Sequence, residues 1–256
     1  MIRFASLGSG SQGNALIVDA GGTRVLLDCG FSSREATARL ARLGVVPSQL
    51  AAIVVTHEHG DHVGGVFAFA RRHRLTVYLT HGTHAVATRA GTPLPECRLI
   101  DGHTPFAIGS LLVQPFPVPH DAREPVQYAF SDGVRRLGVL TDSGSITPHI
   151  VEILRACDGL VLECNHDHAL LVASRYPASL KRRIGGGFGH LENEQAAALL
   201  RRIDTRRLQH VLAAHLSQEN NRPELATTAL ALALGCSEDW IGIADQESGF
   251  DWRQLS

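Results

Sequence analysis

The stretch Thr56-His57-Glu58-His59-Gly60-Asp61-His62 crowds three histidines and an aspartate, all metal-ligand side chains, into one short run. Histidine offers a neutral nitrogen to a borderline cation, and aspartate offers a hard anionic oxygen. In an extended turn His57 and His59 point to one side. Asp61 and His62, where the chain bends into a helix, are then free to face a second ion a few ångströms away. The run begins where a compact apolar strand, 52–56, ends, and a helical pattern over 63–73 follows it. A solvated polar loop would not be bracketed in this way, so the stretch reads as a scaffold for two metals.

Two ions need more ligands than these four, and the sequence supplies them in matching contexts, each closing an apolar strand. His120 follows Leu111 to Pro119, Asp142 follows Arg136 to Thr141, and His215 follows Val211 to Ala214. One such residue alone reads as a capping or core polar group. Taken with the first run they make a complete set: His57, His59 and His120 for one metal, Asp61, His62 and His215 for the other, and Asp142 between them. Zn²⁺ suits a nitrogen-rich set, and Mn²⁺ is also compatible with imidazole and carboxylate.

The rest of the chain is consistent with a β-rich enzyme. Strand patterns at 2–7, 15–19 and 23–28 are separated by glycine-rich turns, and 33–43 has helical spacing. After a strand at 76–79, the segments 111–117, 126–131 and 135–141 return to strand. Helix and strand then alternate: helices at 146–156, 177–183, 192–202 and 222–234, strands at 159–163, 208–213 and 240–244. Two β-rich stretches, each leading into β/α segments, predict two face-to-face sheets with helices outside, an α/β (α+β) sandwich in one domain over 1–256. No internal sequence repeat is evident.

Bulk composition sets the outer bounds. The 256 residues are 44% hydrophobic and 19% charged, with a formal net charge of −1. A whole-molecule basic field is therefore excluded, and nucleic-acid contact requires a local patch. The five cysteines include no C-x-x-C pair, as expected of free thiols in a reducing cytoplasm. No signal peptide and no apolar run long enough to span a bilayer is visible. Fourteen histidines are the unusual feature of the composition. His81 and His84, at helical spacing, read as one face of a surface helix.

The H-x-H-x-D-H run with its later His, Asp and His resembles the metallo-β-lactamase superfamily, which implies the αββα four-layer fold. A finer resemblance lies in Ser9-Gly10-Ser11-Gln12-Gly13-Asn14, His120-Asp121-Ala122, Thr141-Asp142-Ser143-Gly144, Glu163-Cys164-Asn165-His166-Asp167, Gly189-His190-Leu191 with Asn193, and His215-Leu216-Ser217-Gln218-Glu219-Asn220-Asn221. Together these are similar to the YycJ/WalJ branch, spanning residues 3 to 245. That resemblance implies a cytoplasmic exonuclease acting on DNA from a 5′ end, with links to DNA repair. Two positions depart from the branch: Cys164 where serine is expected, and Glu192 where serine is expected after Leu191. Glu192 would bring a negative charge near a phosphate site.

The supporting residues have expected roles. Ser11 and Asn14, in a Gly/Ser loop, are candidates to cradle phosphate, the alternative being a tight turn. Lys181, Arg182 and Arg183 precede a glycine-rich approach to His190 and are candidates for the nucleic-acid backbone, the alternative being a solvated helix face. His190 is the candidate general acid. Asn165, His166 and Asp167 are expected to orient ligands, with helix capping the alternative for Asp167. The mechanism so implied is phosphodiester hydrolysis by a water activated between two divalent ions. The interval 143–214 leaves little room for the large inserted β-CASP domain of RNase J-like enzymes. Two competing readings are a small-molecule hydrolase on the same site (cyclic phosphodiesterase, thioesterase or lactonase) and a non-catalytic metal-binding regulatory protein.

Overall fold

The computed structural model describes residues 1–91 and 93–256. The first half contains strands β1 (Ile2–Gly8), β2 (Ala15–Ala20), β3 (Thr23–Leu27), β4 (Ala52–Val54), β5 (Thr76–Thr80) and β6 (Cys97–Ile100). Its helices are α1 (Ser33–Arg42), α2 (Gly60–Val63), α3 (Val66–His73) and α4 (His81–Arg89). The second half contains β7 (Phe106–Ile108), β8 (Leu111–Pro117), β9 (Val126–Ser131), β10 (Arg136–Leu140), β11 (Gly159–Glu163), β12 (His210–Ala214), β13 (Ile241–Ile243) and β14 (Phe250–Leu255). Its helices are α5 (Pro148–Leu154), α6 (His168–Ala173), α7 (Ala178–Ile184), α8 (Asn193–Leu200) and α9 (Pro223–Leu234).

The strands form two seven-stranded mixed sheets, in the orders β14-β1-β2-β3-β4-β5-β6 and β7-β8-β9-β10-β11-β12-β13. Both follow one plan. The first four strands in each order pair antiparallel and the last three pair on in parallel. The C-terminal strand β14 completes the first sheet by pairing with β1, Ile2 opposite Leu255.

Why the strands read as continuous apolar runs is visible in their parity. In β2, Leu16, Val18 and Ala20 enter a core between the sheets, whereas Ala15 and Ile17 enter a second core under α1 and α3. In β12, Leu212 and Ala214 face the central core, and Val211 and Ala213 face a third core with α5, α8 and α9. Both faces of these strands are buried, so a period of two carries no polar half. Three cores between four layers give the αββα sandwich the sequence predicted.

Several elements differ from expectation. The helix predicted over 63–73 begins only at Val66, as α3, and Gly64-Gly65 separate it from the short α2. A Cβ on Gly65 would meet the Phe31 carbonyl oxygen at 1.7 Å, and the Gly65 amide donates to the Cys29 carbonyl at 2.8 Å, so the chain is pressed onto the end of β3 there. The strands β6, β7 and β14 and the helix α6 were not predicted. β6 exposes Arg98 and Leu99, and β14 alternates exposed Asp251 and Gln254 with buried Phe250 and Leu255. Sheet-edge strands carry polar side chains and weaken the apolar signal.

Candidate metal centre

The candidate ligands converge on one edge of the sandwich, at the ends of strands from both sheets. Two of them, Asp142 after β10 and His215 after β12, and the nearby Asp28 after β3 rest on a costly backbone, with φ of 49°, 54° and 59°. Left-handed conformations are uncommon outside glycine, and they persist where surrounding contacts over-determine them. Here those contacts are visible. The His215 amide donates to Ser9 Oγ at 2.9 Å, and Thr56 donates backbone and hydroxyl hydrogens to the two Asp28 oxygens, each at 2.8 Å.

Two groups of ligand atoms follow the predicted division. One atom each from His57, His59 and His120 lies within 4.8 Å of the others, and the same holds for Asp61, His62, Asp142 and His215. Asp142 Oδ1 is 3.4 Å from His215 Nε2 and 3.9 Å from His120 Nε2, so this carboxylate stands between the groups. His57 is fully buried, yet its Nε2 has no hydrogen-bond partner. An orphaned imidazole nitrogen in such a place fits a ligand for a cation. The donor set of imidazoles and carboxylates is also that of a divalent transition metal.

The electrostatics point the same way. Burial and the neighbouring His62 hold His57 well below the ordinary histidine range, so it presents a neutral nitrogen. Burial favours a protonated Asp142, but the His215 and His62 imidazoles hold it well below the usual carboxylate range. Burial opposes charge on His215, but Asp142 and Asp61 raise it to about 9. The buried carboxylates thus demand positive charge, and in the bare chain protons on histidine supply it.

The sequence reading missed two buried carboxylates. Asp28 Oδ2 lies 2.8 Å from His62 Nδ1 and fixes that ring. Glu163, fully buried at the end of β11, accepts from the amides of Ser143 and Leu191, each at 3.0 Å, and from His190 Nδ1 at 2.8 Å. With Asp142, His190 and His215 it forms a third cluster of ligand-type atoms. Both close an apolar strand, the same signal that singled out Asp142 and His215. Asp121 was also missed as a site residue: it lines the cleft and accepts from Arg183 Nε at 2.5 Å.

His190 lies where the sequence placed it, lining a cleft of about 350 Å³ with Ser11, His59, Asp61, Asp142, Arg183 and His215. Its ring stacks on His215 at 5.3 Å. Burial works against its charge, but Glu163 and Asp142 raise its pKa above the ordinary value.

Other expectations are corrected. Asn14 is buried, and its amide contacts Asp61 Oδ2 at 3.3 Å and His62 Nε2 at 3.1 Å, so it steadies ligands and leaves Ser11 as the loop's exposed side chain in the cleft. Of the basic run, only Arg183 reaches this cleft. Lys181 and Arg182, on the other face of α7, line a second cleft with His166, His168 and Glu192, and Lys181 Nζ donates to the Val172 carbonyl at 2.6 Å. Glu192 pairs with His168 at 3.3 Å there, so its charge is not set against His190. Asn165 does support a ligand, its amide meeting the His215 carbonyl at 3.1 Å, and His166 in turn meets Asn165 Oδ1 at 3.3 Å. Asp167 does not: it caps α6 through the Leu170 amide at 2.9 Å. Cys164 is fully buried and packs within the third core.

With this geometry in place, kinship can be read. The beta-lactamase superfamily domain matches residues 23–211. The chain belongs to the beta-lactamase superfamily. Superfamily members 34% identical over 246 residues, covering 95% of this chain and 92% of the relative, include a Bacillus anthracis protein named exodeoxyribonuclease YycJ. A Streptococcus pneumoniae protein named exodeoxyribonuclease WalJ is 30% identical over 245 residues, covering 94% of this chain and 91% of its own. Among solved structures, the metallo-β-lactamase fold protein YhfI from Bacillus subtilis superposes with a TM-score of 0.74 at 17% identity, over 98% of each chain, a likeness of fold. The chain is thus an enzyme of the metallo-β-lactamase-fold hydrolases.

Proposed function

We propose that this enzyme is a metal-dependent phosphodiesterase that degrades DNA from a 5′ end in the cytoplasm, in the service of DNA repair. The observation that carries the reading is the match, over nearly the whole chain, to proteins named exodeoxyribonucleases. Among the described residues no helix is long and apolar enough to cross a membrane. We take residues 1–256 as one folding unit, because β14 returns to pair with β1.

His57, His59, Asp61, His62, His120, Asp142 and His215 would hold two divalent ions, Zn²⁺ or Mn²⁺. Such ions supply Lewis-acid polarisation of a phosphate and an acidified water. The chain's own groups do the rest. Ser11 and Arg183 line the cleft where a phosphate would sit, and Asp121 sets the Arg183 guanidinium. His190 Nδ1 is committed to Glu163, so its Nε2 is the nitrogen left to hand a proton to the departing sugar oxygen. Asn14, Asp28 and Asn165 hold Asp61, His62 and His215 in place.

The test offers purified protein, with Mn²⁺ or Zn²⁺, end-labelled DNA and RNA, bis-p-nitrophenyl phosphate and a thioester in parallel. Mononucleotide release from 5′-ends of DNA is expected, with two metals per chain by elemental analysis. Asp142→Ala should lose metal and most activity. Thioester turnover without diesterase activity would overturn the reading in favour of a small-molecule hydrolase, for which the modest cleft volume of about 350 Å³ also leaves room. One ion, or none, in fully active protein would overturn the two-metal assignment.

A further inference from the structure

Phe188 stands out among the large apolar side chains. It is 67% exposed and contributes to none of the hydrophobic cores among the described residues. It sits in Gly185-Gly186-Gly187-Phe188-Gly189, between α7 and His190. The composition of that loop suggests freedom, but its contacts deny it. The Gly187 carbonyl accepts from Ser145 Oγ at 3.2 Å, and the Gly189 carbonyl meets His120 Nδ1 at 3.0 Å. The Gly189 amide donates to the Gly186 carbonyl at 2.8 Å, and the His190 amide to that of Ile184, also at 2.8 Å. A Cβ on Gly144 would meet the backbone of residues 187–189 at 2.4 Å, so the loop lies flat on the turn that follows Asp142. Phe188 is therefore the residue between two fixed carbonyls, one of them bonded to a candidate ligand.

Its position relative to the cleft follows from chain geometry. Gly189 and His190 both line the cleft. Consecutive Cα atoms are about 3.8 Å apart, so the Phe188 Cα is within about 7–8 Å of that of His190. A solvent-facing aromatic on a fixed backbone, next in the chain to cleft-lining residues, has the form of a platform for a nucleobase, because every base has a π face and stacking needs no hydrogen-bond code. Arg183, which lines the same cleft as Gly189 and His190, adds the cation that a strand backbone would meet.

We propose that Phe188 stacks on the base adjoining the scissile phosphate and so positions a single strand in the cleft. This rests on the nuclease reading above. It assigns to Phe188 a binding role without base specificity, and the exposed ring is explained by the substrate that covers it.

The experiment compares Phe188→Ala and Phe188→Trp with the parent enzyme, all loaded with Mn²⁺, on a single-stranded oligodeoxynucleotide, on the same strand carrying one abasic residue at successive positions, and on bis-p-nitrophenyl phosphate. For Phe188→Ala we expect KM on the oligonucleotide to rise about 5- to 150-fold, the range of one lost stack, with kcat, metal content and diester hydrolysis of the small substrate unchanged. Phe188→Trp should restore KM. The parent enzyme should be sensitive to the abasic residue at one position, and Phe188→Ala should be blind to it there. An unchanged KM, equal losses on both substrates, or the same abasic profile in parent and variant overturns the stacking role alone. A parent enzyme that hydrolyses bis-p-nitrophenyl phosphate but no oligonucleotide overturns the nuclease reading and this role together. A Phe188→Ala variant that changes from dimer to monomer in sedimentation, with its abasic profile intact, reassigns the ring to self-association.

Discussion

Glu163 illustrates what one residue contributes when its partners are fixed. Two backbone amides and an imidazole converge on a carboxylate that no water reaches, so its charge is spent on holding His190. On the proposed nuclease reading, His190→Ala should keep the metal content of the parent and lose about 10²–10⁴-fold in kcat on DNA. With p-nitrophenolate as leaving group, which needs no proton, the loss should be far smaller. Equal losses on both substrates would assign His190 to binding or to support of the ligands. The thiols give a second test at this scale. Burial pushes Cys29 up to about 12 and Cys157 up to about 11, and it raises Cys164 as well. An unfolded thiol titrates near 8.5. The unfolded chain then loses protons that the folded chain keeps, so these groups subtract stability as pH rises above about 9. In the native protein at pH 8, a thiol reagent should modify the half-buried Cys97 and Cys236 and spare the other three; rapid modification of all five would mean that the cores open. Of the site residues, the H-x-H-x-D-H run was legible because ligand types are dense there. Asp28 and Glu163 were not, because a single acid at the end of an apolar strand has the look of a cap until its partners are known.

Among the elements, α7 has the clearest division of labour. Leu180, Arg183 and Ile184 face the metal cleft at helical spacing, while Lys181 and Arg182 face the second cleft. A run continuous in sequence is divided between two clefts because neighbouring residues on a helix point some 100° apart. Arg183→Ala should weaken DNA cleavage and lower its salt dependence, whereas Lys181→Ala with Arg182→Ala should leave single-turnover cleavage at the site nearly unchanged. The opposite ranking, measured as KM against salt, would place the strand in the second cleft. The turn after β10 makes a further prediction. Any side chain at Gly144 must displace the backbone of 187–189, and with it the carbonyl that orients His120. Gly144→Ala is expected to cost about 1–3 kcal/mol in unfolding free energy and to reduce metal affinity together with activity. A variant of normal stability and normal metal content would show that the loop moves freely. Strand positions were legible wherever both faces were buried. The helix break at Gly64-Gly65 was not, since it answers to the approach of Phe31 from a distant part of the chain.

At the scale of the whole molecule, two sheets built to one plan meet at the site, and each contributes candidate ligands: His57, His59, Asp61 and His62 from the first, His120, Asp142 and His215 from the second. The shared plan was invisible in the sequence because it lies in strand order and direction, which unlike side chains can satisfy equally well. Ions held between the halves should stabilise both, so chelation is expected to lower the melting temperature of the entire chain in a single transition; a separate early melting of one half would contradict this. The two sheets also differ in when they can be finished. All seven strands of the second sheet are contiguous in the chain, whereas the first waits for β14, which pairs with β1. On the ribosome, β1 emerges before the other described strands and is thus left with an open edge until after all of them have been made. An unpaired edge is a template for wrong partners. The half of the molecule that carries the H-x-H-x-D-H run is born first and sealed last, and its early life belongs to whatever shields nascent chains.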